Sequence, residues 1–144
     1  MSRPFSSGLA RKVKPGTNGG SENCYQVLCK SSVLVVGERG LRFVVSSPYG
    51  SYPAFVIRHR TGLSAFLNIC AHMDLELDWT AGSFFDSQKR FLICSTHGAL
   101  YDPADGLCIK GPCHGARLKP VEVSESCDQI VLTDNNYTLL RVEM

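Results

Sequence analysis

Cys70-Ala71-His72 (CAH) and Cys94-Ser95-Thr96-His97 (CSTH) are the two stretches on which the reading of this chain turns. Each offers one thiol and one imidazole within a tight local span. The 21 residues from 73 to 93 separate them. Thiols and imidazoles are the side chains that bind soft and borderline metals, and here they come in matched pairs from two segments. The chain has seven cysteines and four histidines. An odd cysteine count with no apolar export segment argues against a disulfide framework. The useful question is therefore which cysteines have histidines at metal-ligand spacing.

A binuclear iron–sulfur cluster needs this arrangement. Each of its two irons has two positions open to protein ligands. Thiolates stabilise ferric iron, whereas neutral imidazoles bring no negative charge. Placing both imidazoles on one iron localises the incoming electron there and raises the potential relative to a four-thiolate cluster. Two loops, each giving one Cys and one His, can clamp such a cluster from opposite sides. The thiolates of Cys70 and Cys94 would grip the buried iron, and His72 and His97 would hold the exposed one. A structural zinc site usually spaces its ligands as C-x₂₋₄-C with H-x₃₋₅-H. In this chain each pair mixes Cys with His, and one pair has a single intervening residue. A thiol nucleophile at Cys94 with His97 as base would leave Cys70 and His72 unexplained.

Outward from these motifs the chain reads as β structure. Ser32 to Glu38 and Leu41 to Ser47 are β-rich runs joined at Glu38-Arg39-Gly40, a hairpin signal. Ala54 to Arg60 and Leu63 to Asn68 form a second pair, turned by Arg60-Thr61-Gly62. Phe84-Phe85 and Lys89 to Ile93 flank a turn at Asp86-Ser87-Gln88. Leu107 to Lys110, Lys119 to Val123, Gln129 to Thr133 and Tyr137 to Val142 follow, with a turn at Asp134-Asn135-Asn136. No segment sustains a 3.6-residue apolar period. Many short strands with frequent turns imply an all-β sandwich or partial barrel.

C-x-H followed by C-x-x-H is the Rieske pattern, and the chain resembles a Rieske-type ferredoxin over roughly residues 30–142. Beyond the four ligand positions, Gly98 follows His97, Tyr101-Asp102 comes shortly after, and Gly106 falls where the family often turns. Gly111-Pro112 resembles the proline loop that covers the cluster. Ala116 to Val121 resembles the strand that rejoins the base domain. The resemblance implies three antiparallel sheets, with the cluster loops, residues 68–114, forming a small subdomain on a larger β base. It implies one [2Fe–2S] cluster per chain on Cys70, His72, Cys94 and His97, and one-electron transfer rather than chemistry on an organic substrate. The implied donor is a flavin or NAD(P)H-linked reductase, and the implied acceptor an oxygenase.

Three departures from the family pattern matter. The spacer between the motifs is longer than usual, which points to lengthened turns at Ala81-Gly82 or Asp86-Gln88. The high-potential branch carries an extra cysteine in each loop, and Leu75 and Thr96 stand at those positions, so no disulfide is expected there. That branch also places a serine where this chain has Ala99, although Tyr101 matches its tyrosine. Fewer hydrogen-bond donors at the cluster imply the ferredoxin branch and a lower potential. The rival readings are an oxygenase, a Rieske-like small subunit of a larger redox complex, and an iron–sulfur sensor. An oxygenase needs two further histidines, a carboxylate and a second domain. Only His59 and His114 are spare, and at 144 residues there is no domain to present them.

Composition sets the remaining limits. Hydrophobic residues make up 44% and charged residues 19%, so most of the chain should fold as one domain. No apolar run reaches the roughly 18 residues of a membrane span. Residues 1–23 read as a flexible basic tail, and 24–144 as the domain. Arg3, Arg11, Lys12 and Lys14 give the first 20 residues +4 without an acid. With a net charge of +2, the remainder carries −2, a poor charge for binding nucleic acid. The start lacks a signal peptide's apolar region, so the cytoplasm is expected. Cys24, Cys29, Cys108, Cys113 and Cys127 read as structural or incidental thiols. Trp79 reads as an anchor for the spacer, in preference to an exposed contact for a partner. Asp74, Glu76 and Asp78 read as a solvated loop or as a patch for a basic partner.

Overall fold

The computed structural model describes residues 26–143. The expected basic tail, residues 1–23, and the expected domain start at 24 lie outside these. Among the described residues eleven strands follow in order: β1 (Val27–Lys30), β2 (Leu41–Ser47), β3 (Gly50–His59), β4 (Gly62–Leu67), β5 (Leu92–Ile93), β6 (Leu100–Tyr101), β7 (Cys108–Lys110), β8 (Pro120–Val121), β9 (Val123–Ser126), β10 (Gln129–Leu132) and β11 (Thr138–Glu143). They form three antiparallel sheets, ordered β11-β2-β3-β4-β8, β9-β10-β1 and β5-β6-β7. This is the all-β, three-sheet architecture expected from the sequence. Among the described residues no helix is long and apolar enough to cross a membrane.

The run Ala54-Phe55-Val56-Ile57 explains the layering. Successive side chains of a strand point to opposite faces. Ala54 and Val56 pack with Phe43, Val45, Ala65, Leu67, Ile130 and Leu132 in one core. Phe55 and Ile57 pack with Phe66, Leu77, Phe84, Leu92, Tyr101 and Leu118 in another. Both faces of β3 are therefore covered, which is why its run is continuously apolar rather than alternating. Phe55 and Phe84 stack with ring centroids 4.0 Å apart and planes 12° apart. That stack, which ties the 73–93 spacer to the large sheet, joins the second core, where the two Cys–His loops are rooted.

One expected hairpin is absent. Leu41–Ser47 pairs with Gly50–His59 on one side and Thr138–Glu143 on the other, not with Ser32–Glu38. The latter segment opens with a single 3₁₀ turn, Ser31–Val33. Val33, Val35 and Val36 are all exposed, and only Leu34 reaches the core. Arg58 fixes this segment: its guanidinium donates to the Leu34 carbonyl at 2.8 Å and the Ser31 carbonyl at 3.2 Å. The β-branched residues gave a strand signal, but Arg58 takes the Ser31 and Leu34 carbonyls, and the segment meets the large sheet through the Gly37 amide, which donates to the Arg58 carbonyl at 3.0 Å, rather than through a strand ladder. The Lys89–Ile93 run also narrows to Leu92–Ile93, because Asp86 accepts backbone N–H bonds from Lys89 and Arg90 and holds a turn.

Candidate metal centre

Cys70 and His72 lie on the loop that leaves β4. Cys94 and His97 lie on the loop between β5 and β6. The second loop closes on itself, with the Cys94 amide donating to the Ala99 carbonyl and the Gly98 amide donating to the Cys94 carbonyl. Gly98 has φ +74°, a conformation that glycine adopts without penalty. The first loop closes through the Cys70 amide to the Leu75 carbonyl at 2.8 Å. The Ser95 amide donates to the Leu77 carbonyl at 2.9 Å and joins the two loops.

The four side chains separate by type. Cys70 is 4% exposed and Cys94 1%, whereas His72 and His97 both face solvent. The two imidazole rings meet edge-on, with centroids 5.0 Å apart. Burial opposes ionisation of Cys70. The Tyr101 hydroxyl, the backbone amides of His72 and Met73, and Cys94 outweigh it and hold this thiol below its ordinary range. Burial raises Cys94, helped by the neighbouring Cys70 and opposed by the amides of Thr96 and His97. Each loop thus aims backbone N–H groups at its own sulfur, as a thiolate requires.

Tyr101 stands behind the first loop, fully buried. Its hydroxyl oxygen lies 3.1 Å from Cys70 Sγ and accepts the Ala71 N–H at 3.1 Å. Burial and its contacts with Cys113 and Cys70 push the phenol far above its ordinary range, so it stays an O–H donor. Ala99 is fully buried under the Gly111-Pro112 loop, where a Cβ on Gly111 would sit 3.0 Å from the Ala99 Cα.

Two sequence readings of the spacer need correction. Asp78 is not a solvated acid. It is 5% exposed, and its carboxylate accepts from Asn68 at 3.0 Å, from the Gly82 amide at 2.9 Å and from Arg42 at 3.3 Å. Glu76 also pairs with Arg42, at 3.3 Å. Trp79 is not a buried anchor: it is 75% exposed, and its indole N–H reaches Thr96 Oγ1 at 3.4 Å. Sequence reasoning also missed Asn68. Fully buried, it accepts the Leu77 amide at 2.9 Å and so holds the first loop against its own end. Its place at the end of an apolar strand, ten residues before Asp78, was the available signal.

The donor set fits a binuclear group. Among the described residues, no three His, Cys, Asp or Glu side chains converge on a point that could hold a single ion. The inner pair of thiols and the outer pair of imidazoles match, in number and type, the protein donors that a binuclear group of this kind needs.

A family model for the Rieske [2Fe–2S] domain matches residues 24–131. The chain belongs to the Rieske [2Fe–2S] domain family, and that domain implies one [2Fe–2S] cluster. Among solved structures it is similar to the ferredoxin of carbazole 1,9a-dioxygenase from Nocardioides aromaticivorans IC177. The TM-score is 0.57 and the identity 18%, covering 75% of this chain and 95% of that one. The Sphingomonas yanoikuyae B1 ferredoxin aligns with a TM-score of 0.54 and 19% identity, covering 74% and 94%. A reduced complex between oxygenase and ferredoxin in carbazole 1,9a-dioxygenase aligns with a TM-score of 0.57 and 19% identity. That match covers 74% of this chain but only 27% of the other. No curated protein sequence matches the chain.

Proposed function

We propose that Cys70 and Cys94 hold one iron of the cluster, that His72 and His97 hold the other, and that the chain is a one-electron carrier rather than an enzyme. The observation that carries this reading is the segregation of two buried thiols from two exposed imidazoles whose rings lie 5.0 Å apart. When bound, the cluster accepts and returns one electron, preferentially at its imidazole side. The protein's part is to exclude water from the thiols, to aim amide N–H groups at their sulfurs, and to present the imidazole edge outward. Exposed Met73, Leu75 and Trp79 give the first loop an apolar surface beside that edge, suited to brief docking of a redox partner. His59 is committed to Ser64 at 2.8 Å and to Thr61 at 3.1 Å, so it does not supply a second metal site.

The donor in this reading is a flavin or NAD(P)H-linked reductase, and the acceptor an oxygenase. A ferredoxin that shares the fold, and a similar chain from a complex of reduced oxygenase and oxidised ferredoxin, support the acceptor side of that reading. The described cysteines are all free thiols, which suits the cytoplasm. Anaerobic coulometry on the holoprotein tests the carrier reading. It should take up one electron per chain and return it to an added acceptor. Uptake of two electrons, or turnover of an organic substrate by the chain alone, would contradict it.

A further inference from the structure

The second core contains a pair of cysteines that the proposed electron-carrier role does not use. Cys108 Sγ and Cys113 Sγ are 2.7 Å apart, a short closure from the roughly 2.05 Å of a disulfide bond. Local hydrogen bonds set their backbones in place. The Cys108 amide donates to the Ala116 carbonyl at 2.7 Å, the Gly115 amide to the Cys108 carbonyl at 3.0 Å, and the Ala116 amide to the Cys113 carbonyl at 2.8 Å. Cys108 is 1% exposed. Cys113 is 8% exposed, between exposed Pro112 and His114 on the loop that covers Ala99. On the other side, Cys113 Sγ lies 3.3 Å from the Tyr101 hydroxyl, which lies 3.1 Å from Cys70 Sγ.

We propose that Cys108 and Cys113 form a reversible disulfide and that its redox state is transmitted through Tyr101 to the potential of the cluster. The transmission rests on Cys70 being a cluster ligand; the disulfide itself does not. The oxidant is a small disulfide. Cys113, the more accessible sulfur, attacks it, forming a mixed disulfide and releasing one small thiol. Cys108 then attacks the Cys113 sulfur and releases the second. One small disulfide is reduced to two thiols, which carry off both cysteine protons, while one Sγ–Sγ bond forms.

The proton count links this pair to Cys70. As a thiol, Cys113 can donate S–H to the Tyr101 oxygen, while the Tyr101 O–H donates to Cys70. Such a chain polarises the phenol and strengthens its bond to the cysteine sulfur. As a disulfide, Cys113 has no proton to give. The Tyr101 oxygen then keeps only the Ala71 amide as a donor, and its bond to Cys70 weakens. Hydrogen bonds to ligand sulfur favour the reduced, more negative cluster, so the disulfide form should have the lower potential.

The test uses the full-length holoprotein, divided between treatment with a phosphine reductant and with oxidised glutathione. Free thiols are alkylated, and peptides are mapped without reduction. The oxidised sample should contain a Cys108–Cys113 cross-link, and voltammetry should give it a lower potential than the reduced sample. Tyr101→Phe should still form the cross-link but lose the potential difference. Cys113→Ser should form no cross-link and give one potential under both treatments. Alkylation of both cysteines after glutathione treatment would overturn the proposal, and a cross-link with unchanged potential would overturn the transmission. A cross-linked protein that binds no iron would instead contradict the cluster reading, with the Cys108–Cys113 bond itself demonstrated.

Discussion

The Tyr101 hydroxyl lies 3.1 Å from Cys70 Sγ and the same distance from the Ala71 amide nitrogen. One buried phenol from β6 thereby holds a sulfur and a backbone group of the loop that leaves β4. Tyr101→Phe keeps the ring and its packing but removes the bond to sulfur. If that bond is stronger to the reduced cluster by about 1 kcal/mol, the potential falls by roughly 40 mV. Voltammetry of the variant checks this, and an unchanged or higher potential would refute the role given to the hydroxyl.

Ala99→Ser acts in the opposite direction. Ala99 is fully buried on the second cluster loop and packs against Gly111. A donor aimed at a cluster sulfur should raise the potential. A potential that stays level or drops would show that this side chain does not face the cluster.

Asp78 holds the first loop together through charge and hydrogen bonding. Asp78→Ala leaves the Asn68 amide, the Gly82 N–H and one end of Arg42 without their acceptor in a site where water is scarce. The expected loss is about 3 kcal/mol. Urea unfolding would measure it, and a loss below about 1 kcal/mol would place Asp78 with ordinary surface acids.

His59 gives stability a pH dependence. Burial is the main reason its imidazole is held below the ordinary range, and the charge of Asp102 only partly opposes it. The Thr61 amide donates to Nδ1 at 3.3 Å, so the neutral ring is the one accommodated. The unfolded chain, with an ordinary imidazole near pH 6.5, binds its proton first as pH falls. This contribution is complete above about pH 6.5. It declines as pH drops below that value towards the depressed folded-state pKa. The unfolding midpoint should therefore fall between pH 7 and 5 more steeply in the wild type than in His59→Gln. Parallel slopes would remove His59 as the cause.

The Cys–His loops, the all-β class and the β3–β4 hairpin were legible in the sequence because local pattern decides them, whereas the three-sheet arrangement came from the family resemblance. Motif spacing marks the first, and apolar runs punctuated by Gly62 or by Asp134-Asn135-Asn136 mark the others. Features decided by distant partners were not legible. Val33, Val35 and Val36 carry strand propensity, but the Arg58 side chain takes the Leu34 and Ser31 carbonyls of their segment in place of a strand partner. Asp78 sits in an alternating acidic run, yet Asn68 and Arg42 pull it inside. Leu100-Tyr101 is too short a strand to announce itself, although it delivers the Tyr101 hydroxyl to Cys70.

The assignment of Cys70, His72, Cys94 and His97 as ligands to one cluster is tested most directly by electron paramagnetic resonance of the reduced holoprotein, with iron and sulfide measured on the same sample. The expected result is a [2Fe–2S] content of two irons and two sulfides per chain. Its average g-value should lie below that of a four-thiolate cluster, and the signal should disappear in Cys70→Ser and Cys94→Ser. Stoichiometric zinc without iron, or a spectrum matching four-thiolate ligation, would contradict it.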